Sequence, residues 1–538
     1  MAHRRAIAWM AVALALCAAG SARVASAQEL FSTSESCVAC HNGLMTPKAE
    51  DISFGTHWRA SMMANAARDP YWHAAVRREI MDYPDQQREI EHECTVCHMP
   101  MAHTEARVRG ERAKMFAHLP IGRGDTRADR LAADGVSCTM CHQITPAKLG
   151  TRESFTGGFV VDSLTRWEHR RIFGPFAVDS GRTRVMHSAT GFVPREATHL
   201  AQSEVCATCH MLYTHARGPD GRVIGQFPEQ TPYLEWRYSA FRNERSCQSC
   251  HMPVVRDSVA IASVVGVPRP DVNRHDFRGG NFFMLRMLNR YRDELGVEAL
   301  PQELEAAASN TVAHLQDSTA RVSVSSVAVA NGRVVAEVVV QNLAGHKFPT
   351  AYPSRRAWLH VTVRDGAGRT VFESGRLLPS GAVVGNDNDE DPARHEPHHT
   401  EITRPEQVQI YESIMGDTRR RVTTGLLSGV VYLKDNRLLP RGFDKAGAIP
   451  DIAVYGGARD DADFVAGSDR VRYAVSVGNA AGPVRVDAEL WFQPIGFRWA
   501  DNLRAYRAPE TDRFVRWYDA LSEITAVLVA RGSATTAR

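Results

Sequence analysis

Ten of the chain's eleven cysteines obey one spacing rule. They form CVACH (37–41), CTVCH (94–98), CTMCH (138–142), CATCH (206–210) and CQSCH (247–251), and every second Cys is followed by His. Two thiols three positions apart can add to the two vinyl groups of one porphyrin, and the adjacent His then reaches the iron. A single CxxC is equally a zinc half-site or a redox dithiol, and ten cysteines in an exported chain can form a disulfide framework. Neither alternative requires His after every pair. The set therefore reads as five covalent haem c sites. Cys37, Cys40, Cys94, Cys97, Cys138, Cys141, Cys206, Cys209, Cys247 and Cys250 are the attachment residues, and His41, His98, His142, His210 and His251 are the proximal ligands.

The motifs begin 57, 44, 68 and 41 residues apart. So little chain around five large apolar groups predicts a helical, loop-rich region whose core is partly porphyrin. Some of its arginines (RVRGER at 107–112, RWEHRR at 166–171) are candidates to pair with propionates.

The eleventh cysteine, Cys17, lies in a leader. A basic start (His3, Arg4, Arg5), an apolar run over 6–19 and Ala25-Ser26-Ala27 read as a secretory signal cleaved near Ala27. Its loss removes three of the 64 basic residues and none of the 61 acidic ones, so the mature charge is near zero. No basic stripe points to nucleic acid. No later segment has the ~18 apolar residues of a membrane span. A periplasmic or otherwise exported location, with no integral membrane segment, is expected.

Sixteen histidines after the leader lie outside the motifs, more than five irons can use. The candidate distal ligands are His57, His103, His187, His215, His275 and His346. His103 and His215 each follow a motif His by five residues, while His57, His187 and His275 sit beside Gly or Ser near loops. For each, a polar or propionate-bonding role is the alternative.

DGVSCTMCH (134–142), ERSCQSCHMP (244–253) and the aromatic stretch before it resemble multihaem c-type cytochromes over residues 30–280. These are relatives of the tetrahaem electron carrier of ammonia oxidation and of multihaem nitrogen- and sulfur-cycle reductases. The resemblance implies an EW-x-x-S-x-H segment whose His ligates a haem. Here that position is Phe241 in EWRYSAF, and in a second copy, HWRASMM, it is Met63. Either the ligands come from elsewhere and Phe241 packs on porphyrin, or one iron is open or Met-ligated.

After residue 318 cysteine disappears and valine becomes frequent. Alternating runs around Asn331-Gly332, around Asp365-Gly366 and over 471–492 read as three strand pairs. The fold class expected is α+β multidomain. It comprises a signal (1–27), a pentahaem domain (28–280), a helical connector (281–318), an antiparallel β-sandwich (319–500), and a C-terminal helix and tail (501–538). GHKFPTAYPSRRAWLH (345–360) resembles a segment of β-domains attached to some multihaem cytochromes, which implies His346 as a distal ligand fastening the two halves. Asp387, Asp389 and Asp391 alternate as in a calcium loop, but Gly is absent at its sixth position and His398 stands at its twelfth.

The function expected is electron transfer with redox protein partners. The alternative is an oxidoreductase turning over a small nitrogen or sulfur compound at one open iron. No P-loop, Rossmann fingerprint or hydrolase elbow is present.

Overall fold

The computed structural model describes residues 29–478 and 482–536. The leader and its cleavage site lie outside these residues. No helix among them is long and apolar enough to cross a membrane.

Residues 29–280 are short helices and loops with three two-stranded ribbons. Each CxxCH occupies about one helical turn, which brings the two cysteines to one face. The turn is closed by the motif's own backbone: His41, His142 and His210 N–H donate to the carbonyls of Cys37, Cys138 and Cys206 at 2.9–3.0 Å. In the second motif the turn ends a longer helix, α1 (Gln87–His98), and in the fifth it forms α2 (Cys247–His251).

The connector contains α3 (Phe282–Arg290) and α4 (Pro301–Ser318). Pro301 occupies the first turn of α4, where its missing N–H costs nothing. Phe282, Phe283, Met284, Leu285, Met287 and Leu288 of α3 are buried in the largest apolar cluster.

Two sheets follow. One has the order 401–402, 468–476, 333–342, 320–330. The other has the order 370–374, 356–364, 485–493, 527–535, with 410–411 added to 356–364. The hairpin at Asn331-Gly332 forms as expected: both residues have positive φ (51° and 71°), which a type I′ turn requires. Val334, Ala336, Val338 and Val340 of one sheet share a single apolar cluster with Val361, Val363, Val486, Ala488 and Leu490 of the other. That cluster also contains Tyr71, Phe155, Tyr213, Phe227 and Tyr233, so the core runs across residue 319 into the motif-bearing half.

Three expectations need correction. The strands Ser468–Ser476 and Arg485–Gln493 do not pair with each other. They lie in different sheets, the first against 333–342 and the second between 356–364 and 527–535. Alternation marks a strand but does not name its partner. The C-terminal segment 501–538 is not simply a helix and a tail. The helix α5 (Pro509–Ala520) is followed by the strand Val527–Thr535, whose Val527 and Val529 are buried with a two-residue period. The sheets are also not wholly antiparallel, because 401–402 pairs in parallel with 472–473.

Helix α5 returns to the motif-bearing half, where Glu510 pairs with Arg77 at 2.9 Å and Arg513 donates to His73 Nδ1 at 3.0 Å. Leu490, fully buried and opposite Leu359 in the register, tests the shared core. Leu490→Ala should cost about 2–5 kcal/mol, read as a lowered midpoint in chemical denaturation.

Candidate functional site

All ten motif cysteines are free and half-buried, which removes the disulfide reading. Their thiols meet across motifs. Cys37 lies beside Cys138, Cys97 beside Cys209, and Cys206 beside Cys247. Cys141 lies within electrostatic reach of Cys209 and Cys206. The first motif thus joins the third, the third the fourth, and the fourth both the second and the fifth. Five segments spread over 215 residues of sequence converge on one cluster.

Four of the five motif histidines, all but His210, share one orientation device among the described residues. His41 Nδ1 bonds the carbonyl of Ile261 at 2.6 Å, His98 that of Ala66 at 2.9 Å, and His142 that of Phe173 at 2.6 Å. His251 bonds the Arg278 carbonyl. A carbonyl only accepts, so each Nδ1 carries the proton and each Nε2 keeps its lone pair. This is the tautomer a metal-binding imidazole needs. Burial lowers all five imidazoles, His98 and His210 to about 4, so they are neutral at pH 7.

Two of the candidate distal histidines face motif histidines. His275 lies with its ring centre 6.4 Å from that of His142 and its plane within 9°. His346 lies 6.1 Å from His251 with planes within 10°. Two imidazoles sharing one metal at about 2.0 Å from each nitrogen would have ring centres about 6.3 Å apart. His275 Nδ1 bonds the Asn273 carbonyl at 3.2 Å and His346 Nδ1 the Lys347 carbonyl at 2.8 Å, so these rings also present Nε2. Burial holds them at about 3 and about 4. The residues therefore fit an iron between each pair.

The loop carrying His346 is clamped by buried charges. Glu235, in the Pro232–Arg237 helix, receives Lys347 N–H at 3.1 Å and the Thr350 hydroxyl. Arg437 pairs with Glu235 at 2.9 Å and with Asp435 at 2.8 Å, and Asp435 pairs with Lys347 Nζ at 2.7 Å. All four side chains are at least 95 % buried. Burial alone would raise the Asp435 carboxyl, but Arg437 and Lys347 outweigh it and hold it at about 2.

Phe241, which stands where the resemblance implies a ligand, packs elsewhere. Its Cβ lies 3.3 Å from where a Cβ on Gly345 would sit, and the Arg441 guanidinium covers its ring at 5.0 Å. It therefore supports the loop that supplies His346. Met63 is fixed through its carbonyl, which accepts from Val136 N–H at 3.0 Å.

The remaining candidates are not paired with a motif imidazole among the described residues. His103 is stacked on His92 at 4.3 Å, with Nδ1 against Thr95 Oγ1. His187 spends Nε2 on the Glu168 carbonyl at 2.6 Å and faces His169. His215 Nδ1 bonds Glu93 at 2.9 Å, beside Cys94. His57 is half-buried, with Nδ1 lacking a hydrogen-bond partner. Among the described residues no facing histidine at a comparable distance meets His41, His98 or His210.

The acidic loop is not built as a cation site. Asp387 pairs with Arg394, Asp389 with Arg356, and Asp391 accepts Ala393 N–H. His398, Asp461 and Asp469 also lie together. There His398 Nδ1 accepts from Gln409 and Asn436 amides, which leaves the proton on Nε2, against Asp461 at 2.9 Å. Neither nitrogen offers a metal its lone pair.

Sequence reasoning missed the Glu235 clamp and His314, which meets His251 at 5.6 Å edge to face. The adjacency of EW to the fifth motif was the available signal for Glu235. Nothing local marked His314.

No protein-family model and no curated protein matches the chain. Its fold is similar to the crystal structure of a penta-heme cytochrome c552 from Thermochromatium tepidum. The TM-score is 0.53 at 15% identity, over 94% of this chain and 99% of that one.

Asp435→Asn leaves Lys347 and Arg437 short of their shared counter-charge and should cost about 3–5 kcal/mol. An acid with a depressed folded-state pKa stabilises above its ordinary value and loses that contribution as pH falls toward the folded one. Denaturation midpoints of wild type and variant should therefore differ most above about pH 4 and converge toward pH 2.

Proposed function

We propose that the chain is an exported, periplasmic pentahaem c-type cytochrome that passes electrons between redox protein partners through five covalently bound haems. The observation that carries this reading is the convergence of all five CxxCH motifs on one cluster, with His142–His275 and His251–His346 held parallel at iron-sharing separations. When bound, haem iron supplies the one-electron chemistry.

The chain's own residues do the rest. The cysteine pairs fix each group covalently. Main-chain carbonyls set the tautomers of His41, His98, His142, His251, His275 and His346, so no proton must leave these imidazoles before they bind. The buried surroundings keep these rings neutral and limit the charge reorganisation that an electron's arrival provokes. The two valine-rich sheets, read as a β-sandwich domain over 319–500, act as a fastening that brings His346 to the fifth motif.

A second reading, an oxidoreductase acting on a small nitrogen or sulfur compound, is favoured by one observation. Among the described residues no histidine ring faces His210, unlike His142 and His251.

Low-temperature electron paramagnetic resonance of the oxidised, haem-loaded protein separates the two. The wire reading predicts five low-spin centres and no carbon monoxide adduct after reduction, whereas one high-spin, carbon-monoxide-binding centre favours the oxidoreductase. His346→Ala and His275→Ala should each convert one low-spin centre to a carbon-monoxide-binding one. If neither does, these two histidines are not ligands.

A further inference from the structure

Residues 237–245, RYSAFRNER, run directly into the fifth motif. Arg237, Arg242 and Arg245 are exposed, and among the described residues none is paired with a carboxylate. The one acid of the stretch, Glu244, is matched by Arg441 at 2.5 Å. Glu204 accepts from the Tyr233 hydroxyl at 3.1 Å and pairs with none of the three arginines. The stretch is therefore locally positive on a mature chain whose total charge is near zero.

Arg237, Tyr238, Ser239, Arg242 and Asn243 line a surface hollow of about 360 Å³. Its walls are cationic and hydrogen-bonding, and its apolar element is the Tyr238 ring, 42 % exposed. Cofactor pockets are lined mostly by apolar groups, which this hollow lacks. Local hydrogen bonds hold the stretch in shape. Phe241 N–H donates to Ser239 Oγ at 3.1 Å, Arg245 N–H donates to the Phe241 carbonyl at 2.8 Å, and Trp236 Nε1 donates to the Arg245 carbonyl at 2.8 Å. Arg and Tyr on an ordered backbone make interface hot spots at low ordering cost. A guanidinium fork matches the two oxygens of a carboxylate. From Arg245 to Cys247 the chain spans at most about 7 Å, so a partner seated on these arginines sits beside an attachment residue of the fifth motif.

We propose that this hollow and its arginines form the docking surface for an acidic redox protein. Carboxylates of that partner pair with Arg237, Arg242 and Arg245 around Tyr238, and its electron enters or leaves at the fifth motif. The proposal rests on the haem reading. Attraction between opposite surface charges raises the encounter rate and fades as salt is added.

The probe is a plant-type ferredoxin, an acidic one-electron protein. Its binding to the haem-loaded protein is read by isothermal titration calorimetry, and electron transfer from its reduced form by stopped-flow absorbance at rising ionic strength. One variant combines Arg237→Glu with Arg242→Glu. A milder one combines Arg237→Gln with Arg242→Gln and covers the case in which the first fails to accumulate. Arg333→Glu, exposed at the Asn331-Gly332 hairpin, makes the same kind of charge change elsewhere. At low salt the paired charge reversal should slow reduction about tenfold or more and flatten its salt dependence. The paired Gln variant should act in the same direction, and Arg333→Glu should change neither. Unchanged rates and salt dependence in a fully haem-loaded paired variant would overturn the proposal. Shifted midpoint potentials with unaltered ferredoxin binding would also overturn it, because the arginines would then serve the cofactor. Salt-sensitive binding that is lost in both paired variants, with no haem reduced in the wild type, would sink the haem reading and leave the docking surface standing.

Discussion

A buried chain of four charges, Glu235–Arg437–Asp435–Lys347, holds the two halves of the molecule in one geometry. Such a network is weak evidence for net stability, because desolvation offsets much of the attraction. What it supplies here is specificity of position. Glu235 belongs to the motif-bearing half and the other three to the β-rich half. Satisfying all of them fixes the 345–350 loop, and with it the His346 ring opposite His251. The shared apolar core across residue 319 provides the bulk attraction, and the charges set the register.

Around this clamp, one local device recurs. Main-chain carbonyls accept from Nδ1 of four motif histidines and of both facing histidines. Each proton is thereby placed by backbone geometry, which ordinary side-chain motion does not disturb. Burial keeps the same rings neutral. Tautomer, charge and direction are all settled by the fold before any iron is considered, which is how a pre-organised metal site limits its own reorganisation.

The cluster itself was legible in the sequence, since five CxxCH motifs leave few alternatives, and the Asn331-Gly332 hairpin was marked by its turn chemistry. His275 and His346 were named among six distal candidates, but nothing local separated them from His103 or His187. Their distinction is a long-range one: His346 meets a motif 95 positions away in sequence. The same limit explains the strand 468–476, whose alternation was visible but whose partner was not, and the strand 527–535, which lay within the segment read as helix and tail and pairs with 485–493. Phe241 was open to two readings, and its packing beside Gly345, in the loop that carries His346, could not be read from the sequence.

The central claim is that a charge network, not just a histidine, puts His346 at the fifth centre. Near-infrared magnetic circular dichroism of the oxidised, haem-loaded protein measures it, because this signal distinguishes bis-imidazole iron from other ligand sets. The account predicts that Glu235→Ala, which removes no ligand, reduces the bis-imidazole signal by one centre. A full wild-type signal in a folded Glu235→Ala protein would contradict it.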